Sequence, residues 1–275
     1  MGQKSNPNSI QIFHKNPNVF GSNTNSVEYS NVFKEQFTVS NNLIAFFEKK
    51  NCIVKDCFFI LNNEKSFVTI FINFLVLKKR VNKTNLPVSK ISTDLHVSLI
   101  IHKFLKVLTQ FGYCASKRLV FQNLNKIALN YQKTAFLKEN LRIRKALNIF
   151  KFEIYFEPAI FLFCLMNIIG NSSILFSKFI SRFFRILHRT KKINKFLLFL
   201  TKFVNNTDNL RFKKSQIKGL KIQIKGRFNG VPRSKIRVFE KGSIPLQTIS
   251  TKINYSLTHI NTTYGVFGVK VWVFE

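Results

Sequence analysis

Gly219-Leu-Lys-Ile-Gln-Ile-Lys-Gly-Arg-Phe-Asn-Gly230 is the most legible stretch of this 275-residue chain. Leu220, Ile222 and Ile224 alternate with Lys221, Gln223 and Lys225, and a period of two gives a strand one apolar face and one cationic face. Asn229-Gly230 supplies a turn in which both residues tolerate positive φ. The return run carries Arg233, Lys235 and Arg237 on one parity, Ile236 and Val238 on the other. Two further strands, 244–255 and 262–274, complete an expected four-stranded antiparallel sheet over about 217–275. Its apolar face needs a cover. Helices supplied from upstream give a two-layer α+β domain.

Those helices are expected over about 174–204. Between Pro158 and Thr207 no acid stands against eight Lys and Arg. Lys178, Arg182, Arg185, Arg189 and Lys192 recur at i, i+4, i+7, i+11 and i+14, one stripe on a helix, while Phe179, Ile180, Phe183, Phe184, Ile186 and Leu187 fill much of the rest. Like charges at i,i+4 repel. With no acid interspersed to relieve them, a phosphate-facing helix is favoured over a merely solvated one. From Arg211 to Gly242 the count is 11 Lys and Arg against one acid, Glu240. Lys221, Lys225, Arg227, Arg233, Lys235 and Arg237 have the strand parity expected to gather them on one face. Cations on a rigid sheet hold phosphates at fixed spacing and carry little base information.

Further upstream the pattern weakens. Residues 1–28, rich in Asn and Ser, read as an extended basic arm. Apolar spacing predicts a helix from Tyr29 to about Lys50, then paired strands at Cys57–Leu61 and Phe67–Leu77, a basic loop at 78–85 and a helix over Asp94–Phe111. A strand is expected at Ile149–Phe156, stopped by Pro158. The division is thus an arm at 1–28, an α+β domain at 29–157 with an insertion near 112–145, and the C-terminal domain at 158–275. A second insertion is read near 161–171.

The charge balance, 44 Lys and Arg against 12 Asp and Glu, leaves +32. Self-repulsion on that scale calls for a polyanion or an anionic surface. At 45% hydrophobic the chain is no disordered tail. Phe is used 32 times and Gly 10, the skew of an AT-rich gene, as in many organelles. Cys52, Cys57, Cys114 and Cys164 form no metal-ligand pattern, and His14, His96, His102, His188 and His259 are scattered. No cofactor, metal or catalytic residue is implied, so an RNA-processing enzyme is disfavoured. No apolar run reaches the roughly 18–20 residues that span a bilayer. The N-terminus carries no import signal, and the chain is expected to work where it is made. A basic amphipathic protein on a membrane surface and a free-standing RNA-binding protein are the alternatives.

Met1-Gly2-Gln3-Lys4-Ser5-Asn6-Pro7 at one end and Thr262-Thr-Tyr-Gly-Val-Phe-Gly-Val-Lys-Val-Trp-Val-Phe274 at the other resemble the universal small-subunit ribosomal protein S-three family. Gly219–Gly230 and Gly242-Ser-Ile-Pro-Leu-Gln-Thr248 resemble its strands and the loop before its third strand. The resemblance covers residues 1–7 and about 215–275 most strongly. It implies a structural constituent of the small-subunit head, with an N-terminal type II KH domain and a C-terminal α+β domain lining the channel by which messenger RNA enters. The partners it implies are small-subunit ribosomal RNA, to which Gln3 and Lys4 of the arm would add contacts, messenger RNA, and neighbouring head proteins of the S-ten and S-fourteen families. Lys191, Lys192 and Lys195 match the family's messenger-contacting basic triad. They are Lys throughout, so the forked geometry of Arg is lost. The composition suggests a mitochondrial form.

The departures are informative. A KH domain grips nucleotides through a Gly-x-x-Gly loop. Between Gly21 and Gly112 there is no glycine, so the N-terminal domain is expected to be a degenerate KH-like one. Gly265-Val-Phe-Gly268 matches the loop formally but falls in the C-terminal sheet.

Overall fold

The computed structural model describes residues 7, 26–49, 52–61, 67–76, 116–124, 137–168, 173–190, 192–205, 217–248 and 250–274. The chain forms two compact units, one of residues 20–122 and one of residues 1–19 with 123–275.

The N-terminal unit opens with α1 (Ser26–Lys49), followed by β1 (Cys52–Leu61) and β2 (Phe67–Val76), which pair antiparallel. β3 (Ser116–Asn123) adds a third strand beside β2. Leu43 and Phe47 of α1 are buried together with Cys52, Ile53 and Val54. The i,i+4 apolar pair therefore does what its spacing predicts, closing a helix onto the first strand. The stretch read as an insertion thus supplies a sheet strand. The expected helix at 94–111 and the loop at 78–85 lie outside the described residues.

The C-terminal unit contains α2 (Leu137–Ala146), a short 3₁₀ turn at Asn148–Phe150, α3 (Phe156–Ile168), α4 (Ser173–Arg189) and α5 (Ile193–Asn205). Four strands follow: β4 (Gly219–Gly226), β5 (Lys235–Gly242), β6 (Ile253–Thr262) and β7 (Gly265–Phe274). They make an antiparallel sheet in the order β5-β4-β7-β6. β6 begins later than the sequence predicts.

One face of this sheet is buried under α4, which packs on β6 and β7, and α5, which packs on β5. Leu220, Ile222, Ile224, Val269, Val271 and Val273 are essentially inaccessible. From the helices come Phe176, Phe179, Phe183 and Phe184, then Phe196, Phe199 and Phe203, each at helical spacing and each 3% exposed or less. Burying each such ring contributes roughly 1.5–3 kcal/mol. Stacked and tilted pairs, such as Phe176 with Phe203 at 5.5 Å and Phe184 with Phe267 at 4.8 Å, add geometric preference. Polar anchors set the helix on the sheet: Ser256 Oγ donates to the Ser173 carbonyl at 2.8 Å.

Two expectations are corrected here. Residues 149–156 form no strand; they make the 3₁₀ turn, a bend and the start of α3. Pro158 stands in the first turn of α3, where a missing N–H breaks no helical bond. The boundary expected at 157 also moves. Phe150 and Tyr155 lie against Phe199 at 5.3 and 4.7 Å, so these residues belong to the core of the C-terminal unit.

Candidate nucleic-acid interface

Residues directly opposite one another in an antiparallel pair project to the same face. Lys221 stands opposite Glu240 and Trp272, Gln223 opposite Val238 and Lys270, Lys225 opposite Ile236 and Gly268. β6 extends these rows with Tyr255, Leu257 and His259. This is the face that the helices leave open. On the covered face Leu220, Ile222 and Ile224 stand opposite Lys241, Phe239 and Arg237, and Gly226 opposite Lys235.

The six cations expected on one face are therefore divided. Lys221 and Lys225 share the open face with Ile236 and Val238, while Lys235 and Arg237 take the parity of the buried face. The cause is register: odd-numbered residues of β4 pair with even-numbered residues of β5, a relation fixed by the connection at 227–234. Lys235 and Arg237 nonetheless stay exposed, because β5 is an edge strand. Arg227 and Arg233 lie within the connection and are exposed. Arg227 Nε donates to the Val231 carbonyl at 3.0 Å.

At the tip of the connection Asn229 (φ 55°, ψ 26°) and Gly230 (φ 78°) both adopt positive φ, as the Asn-Gly pair predicts, and Val231 N donates to the Phe228 carbonyl. The tip meets other elements. Asn229 Nδ2 reaches Asn194 Oδ1 at 3.4 Å in the first turn of α5, and Gly230 lies under the Tyr264 ring of the β6–β7 turn. Tyr264 in turn meets His188 edge-on, ring centroids 4.9 Å apart. His188 is buried, its Nε2 has no hydrogen-bond partner among the described residues, and burial holds its pKa below the ordinary imidazole value.

The helix stripe is shorter than expected. α4 ends at Arg189 and Lys192 stands in the break before α5, where its N–H donates to the Leu187 carbonyl. Lys178 and Arg182 are partly buried and Arg185 is exposed. The side chain of Arg189, and Gln3, Lys4 and Lys191, lie outside the described residues. Of the messenger-type triad, Lys192 is exposed and Lys195 Nζ is bound 2.6 Å from Glu153 Oε1. Glu240 likewise pairs with Lys221, and Glu157 with Arg144. Each of these three acids of the C-terminal unit thus holds a cation. No periodicity within one element discloses such pairs. Lys270, exposed on the open face beside Gln223, was missed as well, although alternation along Gly265–Phe274 puts it on the parity of Trp272.

The buried apolar side of α4 and α5 bears on the membrane-surface alternative, since the Phe-rich face such a protein would insert is used against the sheet. Among the described residues no helix is long and apolar enough to cross a membrane.

Comparison with known proteins agrees with the sheet. Residues 205–273 match the family model described as ribosomal protein S3, C-terminal domain. The chain is 52% identical over 62 residues to small ribosomal subunit protein uS3c of Helicosporidium sp. subsp. Simulium jonesii, covering 22% of this chain and 26% of that protein. It is 49% identical over 63 residues to the protein of the same name from Marchantia polymorpha, covering 23% and 29%, and 52% identical over 62 residues to that of Zea mays, covering 22% and 28%. The matched region thus spans less than a third of the length of these relatives. Through the sheet and hairpin described above, residues 205–273 are similar to the C-terminal domain of the universal small-subunit ribosomal protein S3 family.

Proposed function

We propose that this chain is a non-catalytic structural constituent of the small ribosomal subunit of an organelle, sitting in the head and binding small-subunit ribosomal RNA. The observation that carries the reading is the β4–β5 ribbon. It matches the family model, its β5 is an edge strand of the sheet, and it bears exposed cations on both faces, Lys225 on one and Lys235 and Arg237 on the other. A ribbon charged on both faces suits insertion between two polyanion segments better than rest on one. Arg185 on α4 extends the basic surface, and Lys178, Arg182 and Arg189 continue it along the helix. Gln3 and Lys4 add arm contacts.

Lys192 and Lys195, with Lys191, are assigned to the channel by which messenger RNA enters. The N-terminal unit is read as the degenerate KH-like domain; its helix and hairpin suit that reading, and between Gly21 and Gly112 no glycine offers the backbone approach that gripping a nucleotide requires. Neighbours of the S-ten and S-fourteen families are the protein partners. The uS3c relatives are organellar, chloroplast-type forms and support an organellar ribosome; the AT-rich composition points further, to a mitochondrial one.

Cosedimentation tests the reading. Tagged full-length chain should travel with small subunits at physiological salt, and its affinity for small-subunit ribosomal RNA should fall steeply as salt rises, about 10³–10⁵-fold between 50 and 200 mM if six to ten phosphates are contacted. Absence from small subunits, or binding indifferent to salt, would sink it.

A further inference from the structure

Glu153 lies in the bend between the 3₁₀ turn and α3, and it is held there by its surroundings. Its N–H donates to the Phe150 carbonyl at 2.9 Å, and its carbonyl accepts from Phe156 N at 3.2 Å. On either side of it Phe150 and Tyr155 are buried, and Tyr155 packs against Phe196 and Phe199 of α5 at 4.9 and 4.7 Å. The bend is thereby fixed to the same helix whose first turn carries Lys195. The carboxylate itself is mostly enclosed, its side chain 14% exposed, whereas that of Lys195 is 50% exposed. One member of the pair is preorganised and the other is a flexible arm drawn to it. A phosphate reaching Lys195 meets an ammonium already held by a carboxylate that cannot swing away. Lys192, one turn back, has no acid bonded to it among the described residues.

We propose that Glu153 is a positioning residue that withholds Lys195 from RNA, so that the start of α5 grips one phosphate fewer than its lysines would allow. The assignment rests on the reading of Lys192 and Lys195 as RNA contacts. Its physical effect is to keep a strand loosely held there, suited to a messenger that has to slide past, while the sheet ribbon anchors.

The test uses the full-length chain, single-stranded oligouridine as the probe, and affinity measured across a salt series. Glu153→Gln keeps size and hydrogen bonding and removes the charge. It should tighten binding roughly two- to five-fold, the strength of a partly exposed ion pair, and steepen the salt slope by about 0.7, one phosphate on a single strand. In a Lys195→Ala background the same substitution should change neither. Equal tightening in that background would overturn the proposal, because the effect would then be general charge and not release of Lys195. A lowered melting temperature with unaltered affinity and slope would also overturn it, leaving Glu153 a structural tether. Wild-type binding without salt dependence would bring down the RNA reading first, and this one with it.

Discussion

Gly226 is the last residue of β4, and its lack of a side chain is a packing requirement. A Cβ placed there would lie 2.1 Å from Phe267 Cδ1 and 2.6 Å from Cγ and Cε1. The shortest of these falls about 1.4 Å short of an ordinary carbon contact. Phe267 has nowhere to retreat. It is fully buried, with Phe184 at 4.8 Å, Phe228 at 5.3 Å and His188 at 6.2 Å around it. Gly226→Ala should therefore cost about 1–3 kcal/mol, the usual range for overpacking. At about 2–4 °C per kcal/mol for a unit of this size, the melting temperature should fall by roughly 2–12 °C. The assay has a built-in reporter: Trp272 is the single tryptophan and sits on β7, so its fluorescence follows this sheet and not the N-terminal unit. Phe267→Leu replaces the flat ring, Cε1 included, with a smaller branch that can rotate away, and Gly226→Ala added to it should cost less by more than about 0.5 kcal/mol, the limit for independent sites. A Gly226→Ala chain that melts with the wild type, or a penalty that Phe267→Leu leaves unchanged, would refute the close-approach argument.

The divided ribbon predicts separable surfaces. Charge reversal of Lys225 and Lys270 on the open face, or of Lys235 and Arg237 on the other side of β5, should each flatten the salt slope for ribosomal RNA by up to about 1.8, two phosphates, and the two should add; if either pair alone abolishes binding, RNA rests on one face only. Tyr155 buries a hydroxyl without a partner among the described residues, and burial holds its pKa well above the ordinary phenol value. Tyr155→Phe should therefore leave the melting temperature unchanged or raise it, and a clear fall would reveal a hidden hydrogen bond. For His188 the folded state disfavours the proton that the unfolded chain takes up near pH 6.5. Stability should be level above about pH 7 and decline as pH drops through 6.5. His188→Gln should flatten that decline in Trp272 fluorescence melts, and a parallel pH profile would refute the assignment.

Alternation made β4 legible because a half-buried strand must alternate, and Leu220, Ile222 and Ile224 do so without interruption. The Phe-rich spacing of α4 and α5 was legible for the same reason at a period of 3.6. Residues 149–156 misled because Ile149, Phe152 and Ile154 look strand-like, yet they are 66%, 76% and 59% exposed, while Phe150, Tyr155 and Phe156 are the buried ones. Which face the β5 cations take was not legible, because parity across a hairpin depends on how many residues the connection contains and how they are paired. Nor were the partners of Lys195 and Lys221, since ion pairs 42 and 19 residues apart in sequence depend on tertiary placement.

The connection at 227–234 consequently acts as a selector in the history of the chain. Gain or loss of one residue there, with β4 unaltered, would turn β5 over in the sheet and carry Lys235 and Arg237 to the open face, with Ile236 and Val238 moving the other way. Lineages can thus redistribute charge between the two sides of this edge without replacing a single lysine. Among relatives, variation in the length of this hairpin should accordingly be matched by a swap of charged and apolar positions along its second strand.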